Sequence, residues 1–194
     1  YRWLPDLTIP MARRIVEHLG IKPDDNILDF RCSRGYLVRA LVELGFASTS
    51  GCDISAWALE NCDAAVRDRL HITFDTPFDW LLSKDVFEHM TPFELEDALR
   101  SLSAQTAKGA LIVVPLSEEP NEAYVVPEYE QDITHVIRWP IWKWHRAIQR
   151  AYGVGWSVCS QYQLHGVKDN YAHFPRGNGF ITVRSITSRP PLKG

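Results

Sequence analysis

The sequence of 194 residues has few of the features that mark specialised classes of protein. It contains four cysteines without a Cys-x-x-Cys pair, so a disulfide framework is not expected and reduced thiols in the cytoplasm are the simpler interpretation. No apolar run approaches the ~20 residues that cross a membrane, and no signal peptide is visible. The net charge of −3 argues against nucleic-acid binding, which usually requires a basic surface.

Internal repeats and a domain boundary are also lacking. The length fits one domain, 1–194, with a full hydrophobic core, and the 45% hydrophobic and 23% charged residues are typical of a globular protein. The chain begins with Tyr1 rather than methionine, which leaves open that a natural N-terminus and a leader were removed. A frayed tail is predicted over 188–194.

Hydrophobic periodicity and turn residues predict alternating strands and helices. The predicted strands are 26–30, 48–54, 71–74, 79–86, 110–116, 156–164 and 180–186. The predicted helices are 11–19, 35–44, 55–67, 91–106 and 140–152. This alternation predicts an α/β fold with a parallel sheet and helices on both faces. The acidic stretch 117–139 interrupts the pattern and is predicted to be an ordered lid, because long loops in compact domains are usually functional or disordered.

The segment 27–37 (ILDFRCSRGYL) joins an apolar strand to a helix that starts at Gly35. A loop that passes close under a ligand favours residues without a Cβ, and a helix N-terminus offers N–H donors. Asp53 ends the second strand, where a carboxylate can accept both hydroxyls of a ribose. Taken alone, the two features also fit an ordinary strand–loop–helix joint and a solvated aspartate.

Four motifs together resemble class I S-adenosylmethionine-dependent methyltransferases, and in particular bacterial small-molecule and polysaccharide-cluster enzymes. They are residues 28–32 (LDFRC), 53–55 (DIS), 85–89 (DVFEH) and 132–136 (DITHV), the last followed by Trp144 on the next helix. The resemblance covers nearly the whole chain, from about residue 27 to 186. It implies a Rossmann-like, mostly parallel seven-stranded sheet in which the last two strands form an antiparallel hairpin.

The resemblance also implies a cofactor, S-adenosylmethionine, and residues that contact it. These are Asp29, Arg31, Cys32, Ser33, Gly35, Tyr36, Leu37, Asp53, Ile54, Ser83, Lys84 and Asp85. The family loop reads D-x-G-x-G-x-G, and here its glycine positions hold Arg31, Ser33 and Gly35. An inward Arg31 would collide with the methionine half of the cofactor or reach its carboxylate, whereas an outward Arg31 leaves the site open. The chain is therefore expected to be an enzyme, with a non-catalytic domain of the same fold as the alternative.

His135 is the candidate catalytic residue, because a neutral histidine in a lid can remove a proton from a methyl acceptor. It could instead pack on Trp139 or Trp144, or be solvated. Glu88 and His89 are equally consistent with local capping and with function. No His-x-x-His or His-Glu-x-x-His spacing is present, so no metal site is predicted.

The expected reaction is methyl transfer to a small-molecule or glycan acceptor, most simply at oxygen. No nucleic-acid or membrane partner is expected, and exposed tryptophans permit a homodimer. A nicotinamide dehydrogenase is the weaker reading, because the loop lacks G-x-G-x-x-G and the terminal hairpin would be unexplained.

Overall fold

A single seven-stranded sheet organises the chain in a computed structural model that describes residues 2–186. The tail predicted over 188–194 lies outside the described residues. The strands are β1 (Ile27–Phe30), β2 (Thr49–Cys52), β3 (Leu70–His71), β4 (Phe78–Lys84), β5 (Thr106–Pro115), β6 (Trp156–Gln161) and β7 (Asn178–Ser185). They follow the order β3-β2-β1-β4-β5-β7-β6, with β7 antiparallel to both neighbours and the other pairs parallel. The predicted Rossmann-like fold with a terminal hairpin is confirmed.

Helices cover both faces of the sheet, because each face is apolar. The α-helices are α1 (Pro5–Leu19), α2 (Tyr36–Glu43), α3 (Ala56–Glu60), α4 (Pro92–Gln105) and α5 (Ile141–Tyr152). Shorter 3₁₀ segments cover Ala64–Arg69, Phe87–His89, Pro127–Gln131 and Asn170–Ala172. Apolar residues of α1 and α2 pack on one face of the sheet, and those of α4 and α5 pack on the other. No helix within residues 2–186 has the length and apolarity that crossing a membrane requires.

Several predicted boundaries were wrong, among them the start of β5, at Thr106 rather than residue 110, and the end of β6, at Gln161 rather than residue 164. The first helix begins at Pro5 rather than residue 11 and contains Pro10, since proline at the first helical position favours an earlier start. The helix predicted over 55–67 is split: α3 ends at Glu60, with Asn61 as its C-cap, and Asp63 caps a separate 3₁₀ segment. The third strand has only two residues, because β3 pairs with β2 solely through Leu70 and His71.

The last strand is tied to the first helix. The guanidinium of Arg184 on β7 donates to the carbonyl oxygens of His18 and Leu19, at 2.7 Å each. His18 Nε2 lies 2.8 Å from the hydroxyl of Thr182 on the same strand. These bonds satisfy carbonyl groups that the end of a helix leaves without intrahelical partners.

The topology creates a crevice where strand order reverses. Strands β1 and β4 are neighbours, and from them the chain proceeds outward in opposite directions. Ligands of open α/β sheets bind at such a switch point, beyond the carboxyl ends of the strands. Here those ends lead into residues 31–35 and 85–89, which are two of the predicted motifs.

Candidate functional site

The loop after β1 has the backbone shape of a glycine loop, although two of its glycine positions hold other residues. Arg31, Ser33 and Gly35 all have positive φ, at 61°, 52° and 77°. Residues with a Cβ rarely adopt this left-handed backbone conformation, which costs them roughly 1–3 kcal/mol. At Gly35 the requirement comes from packing, because a Cβ would lie 2.6 Å from Cδ1 of Leu70.

Asp53 holds this loop in place. One of its carboxylate oxygens accepts the N–H of Ser33 at 2.8 Å, and the other accepts the N–H of Ser55 at 2.8 Å. The side chain is buried and also lines a cavity at the carboxyl edge of the sheet. Asp53 therefore binds the amide of Ser33 within this loop.

The carboxyl of Asp29 is buried beside the same loop. It is 6% exposed and lines a cavity. Burial, and next the charge of Asp53, raises the pKa of Asp29 to about 7, while the ammonium of Lys84 acts in the opposite direction. A cationic ligand group beside Asp29 would favour its charged form.

Two adjoining cavities occupy this edge, with volumes of about 530 and 980 Å³. The smaller is lined by Asp53 and Ile54, and the larger by Asp29 and Lys84, while Arg31 lines both. The Arg31 guanidinium lies over the ring of Phe30, 5.5 Å from its centroid. Arg31 thus neither leaves the site nor fills it, and instead forms part of the wall that the two cavities share.

All predicted cofactor residues except Gly35 and Ser83 line one or both cavities. Ser83 is buried within β4 and its hydroxyl has no hydrogen-bond partner among the described residues. Cys32 lines the larger cavity, but burial, followed by the charges of Asp29 and Asp53, raises the pKa of its thiol, so it is not a reactive thiolate.

Asp85 follows β4 and is held by two lysines. Its carboxylate accepts hydrogen bonds from Lys84 Nζ at 2.5 Å and Lys168 Nζ at 2.6 Å. Burial alone would raise the pKa of Asp85, but the two ammonium groups outweigh burial and lower it. Asp85 has a φ of 55° and lines both cavities.

His135 lies beside His89, not beside Trp139 or Trp144. The His89 and His135 ring centroids are 4.7 Å apart, whereas Trp139 and Trp144 contact each other at 4.9 Å. The carbonyl oxygen of Glu88 accepts the N–H groups of Val136 and Ile137, at 2.7 and 2.9 Å, which docks the lid segment 117–139 against residues 87–89. The alternative in which His135 packs on a tryptophan is therefore wrong.

Glu88 is the functional candidate that the sequence left undecided. Its side chain is 1% exposed, and both carboxyl oxygens lack hydrogen-bond partners among residues 2–186. Burial, and then the charge of Asp85, raises the pKa of Glu88. With His89, His135 and Asp85 it lines a third cavity of about 260 Å³, so local capping does not account for it.

No protein-family model and no curated protein matches the sequence, but solved structures do. One chain of the complex between the Haloferax volcanii Trm112 methyltransferase activator and a methyltransferase matches with a TM-score of 0.69 and 16% identity, over 95% of this chain and 92% of that one. A SAM-dependent methyltransferase from Archaeoglobus fulgidus matches with a TM-score of 0.65 and 16% identity, over 94% and 95%. The methyltransferase domain of bacterial CtHen1 matches with a TM-score of 0.65 and 18% identity, over 92% and 99%. This chain has the class I methyltransferase fold.

Proposed function

We propose that this chain is an S-adenosylmethionine-dependent methyltransferase that acts on a hydroxyl of a small molecule or glycan. The observation that carries the proposal is the pair of adjoining cavities at the switch point of a methyltransferase fold, one lined by Asp53 and the other by Asp29. Such crevices are where open α/β sheets bind ligands. The four unpaired cysteines are consistent with a reducing compartment, and we propose the cytoplasm.

The residues that line the two cavities fit the methionine part and the ribose of the cofactor. The buried Asp29 carboxyl, with its raised pKa, matches the ammonium of the methionine part. Arg2, Arg31 and Lys84 add positive charge to the walls of the same cavity, where a carboxylate would bind. Each Asp53 oxygen accepts a single N–H bond within the protein, which leaves acceptor capacity for ribose hydroxyls.

The cofactor, when bound, supplies a methyl group on a sulfonium; the protein positions the acceptor and removes its proton. Nδ1 of His135 lies 2.9 Å from the carbonyl oxygen of Tyr129. Since a carbonyl only accepts, Nδ1 carries the proton and the lone pair is on Nε2. Burial, followed by repulsion from His89, lowers the pKa of His135, which keeps the imidazole neutral and able to accept a proton.

The choice of acceptor rests on the sequence resemblance and on this neutral histidine. Matching solved structures include the glycopeptide N-methyltransferase MtfA with sinefungin, at 14% identity, and the mitomycin 7-O-methyltransferase MmcR, at 15%. Another is a chain of the Pnkp1/Rnl/Hen1 RNA repair complex, and the match covers 41% of that chain. Their acceptors differ, so activity should be assayed on hydroxyl, amine and RNA acceptors in parallel.

Calorimetric titration with S-adenosylmethionine and with sinefungin tests cofactor binding directly. We expect one ligand per chain, loss of at least about tenfold in affinity for Asp53→Ala, and no loss for the exposed control Asp24→Ala. No heat and no thermal shift at millimolar ligand would contradict the proposal.

Arg31→Gly separates the enzyme from its non-catalytic alternative. Because Arg31 lies in the cavity wall without filling either cavity, we expect the variant to bind S-adenosylmethionine within about tenfold of the wild type. Binding that occurs only in Arg31→Gly would favour a non-catalytic domain of the same fold.

A further inference from the structure

We propose that Glu88, His89 and His135 bind a divalent transition-metal cation. One potential ligand atom from each residue, a ring nitrogen from each histidine and a carboxylate oxygen, lies within 4.8 Å of the other two. Two imidazoles and one carboxylate are a ligand set that Mn²⁺, Fe²⁺, Co²⁺ and Zn²⁺ accept. Ligand atoms about 2.1 Å from a metal lie about 3–3.5 Å from each other, so side-chain shifts of about 1 Å would complete the site.

The hydrogen bonds of both histidines leave the same nitrogen available. His135 donates its Nδ1–H to the carbonyl oxygen of Tyr129. Nδ1 of His89 lies 2.8 Å from the hydroxyl of Thr134, and that hydroxyl donates its only proton to Asp132, 2.5 Å away. The hydroxyl oxygen must then accept from His89, so both imidazoles carry the proton on Nδ1 and the lone pair on Nε2. Metal-binding histidines typically make this outer hydrogen bond to a carbonyl or another polar group.

Glu88 is the independent observation that points to a ligand. A carboxyl that is 1% exposed and has no hydrogen-bond partner on either oxygen is costly to bury. The nearby ammonium of Lys168 forms an ion pair with Asp85 at 2.6 Å. The same ammonium lies 4.5 Å from the ring centroid of Tyr129. A cation between Glu88 and the two Nε2 atoms would satisfy all three groups.

The third cavity gives the cation room for further ligands. Its volume of about 260 Å³ adjoins all three residues, so open coordination positions would face it, as in catalytic metal sites. His89 and Asp85 also line the two larger cavities, so the cation would lie at the edge of the proposed cofactor site. If the proposed function is correct, the cation would bind the acceptor oxygen and lower the pKa of its hydroxyl, whose proton would pass to solvent. His135 would then be a ligand in the metal-bound protein and a base only in the metal-free protein.

Co²⁺ titration of chelator-treated, desalted protein tests the site through its visible absorption. We expect one Co²⁺ per chain, and a loss in affinity of at least about 100-fold for His89→Ala, His135→Ala and Glu88→Gln. The matched control is His145→Ala, since His145 is half-buried and bonds Ser160 away from the cluster. The near-isosteric Glu88→Gln keeps the test meaningful if a histidine variant fails to fold.

A proton NMR spectrum of the Co²⁺ form distinguishes metal binding by the two histidines from a purely structural role of their side chains. Two strongly shifted exchangeable N–H signals are expected, one from each Nδ1–H, and each histidine variant should abolish one. No binding at millimolar Co²⁺, or stoichiometric binding that survives all three substitutions, would overturn the proposal. The titration uses neither S-adenosylmethionine nor an acceptor, so its outcome is independent of the proposed methyl transfer.

Discussion

The loops that follow the neighbouring strands β1 and β4 differ in how many of their polar groups have hydrogen-bond partners. The loop after β1 is held by Asp53, which follows β2 and accepts the N–H groups of Ser33 and Ser55. After β4, Glu88 is buried with two unpartnered oxygens. Both loops contain residues with positive φ, Arg31 and Ser33 in the first and Asp85 in the second, but the second also buries a carboxyl without a hydrogen-bond partner among the described residues.

This difference indicates two kinds of recognition at one sheet edge. A loop with satisfied amides offers a fixed shape, to which a neutral or mixed-charge ligand can be fitted. Glu88 and His89 of the second loop, with His135 of the lid segment, present an unpaired carboxyl and two imidazole lone pairs, which favour a cation. Substitutions that remove one or the other property should separate the two.

The largest expected effect is that of Asp53→Ala. It leaves the Ser33 and Ser55 amides without their charged acceptor, and hydrogen bonds to charged groups contribute about 1.5–3 kcal/mol each. We expect a loss of about 4 kcal/mol in the free energy of unfolding, measured by urea denaturation. Asp53→Asn keeps one acceptor oxygen and should lose about half as much; equal stability of all three proteins would show that Asp53 does not hold the loop.

The pH dependence of stability should reveal the buried Asp29. Its folded pKa of about 7 exceeds the usual 3.8, so the folded state holds the proton more tightly, and the contribution of Asp29 to stability falls as pH rises from about 4 to about 7. Asp53, Lys84, Cys32 and Cys52 are the titratable groups whose charges interact with it. Asp29→Asn should remove roughly 3 kcal/mol of this fall in urea denaturation, whereas the exposed control Asp24→Asn should leave the slope unchanged.

Glu88→Met should stabilise the metal-free protein, because methionine has a similar volume and no polar group to satisfy. An increase of about 1–2 kcal/mol in unfolding free energy is expected in the presence of chelator. Glu130→Met is the contrasting control. Because Glu130 accepts hydrogen bonds from the Tyr124 amide and from Arg138, this variant should destabilise the protein. Destabilisation of both variants would mean that Glu88 has a partner within the fold.

The smallest effects belong to Arg31→Gly and Ser33→Gly. Each relieves a positive φ, but glycine costs conformational entropy, and Arg31→Gly also loses the contact with Phe30, which contributes about 0.5–1 kcal/mol. We expect Ser33→Gly to raise the free energy of unfolding by up to about 1 kcal/mol, measured by thermal unfolding, and Arg31→Gly to raise it by less. A loss in Ser33→Gly would show that its backbone is not strained.

Local rules predicted the features that depend on neighbouring residues. Thr91 and Glu94 form a capping box at the start of the helix predicted over 91–106, and most of the apolar strand predicted over 110–116 is the buried part of β5. The aspartate at the end of β2 reached the loop because carboxyl ends of parallel strands share one edge.

Other features depend on contacts between distant parts of the chain and could not be predicted in this way. The φ of Arg31 and Ser33 is imposed by the strand–helix joint, although neither residue favours it. The meeting of Glu88 and His89 with His135 depends on how the lid segment docks, through backbone bonds that carry no side-chain signal. A spacing rule for metal ligands within one helix does not detect such a cluster.

The bonds from Arg184 to the end of α1 also constrain how the chain acquires its structure during synthesis. The first helix emerges from the ribosome long before the strand that anchors it, and β6 has no neighbour in the sheet until β7 inserts between it and β5. Contacts of such long sequence separation slow folding. Vectorial synthesis should therefore leave α1 weakly docked until the final strand is made, and completion of β7 should be the step that locks both ends of the described fold together.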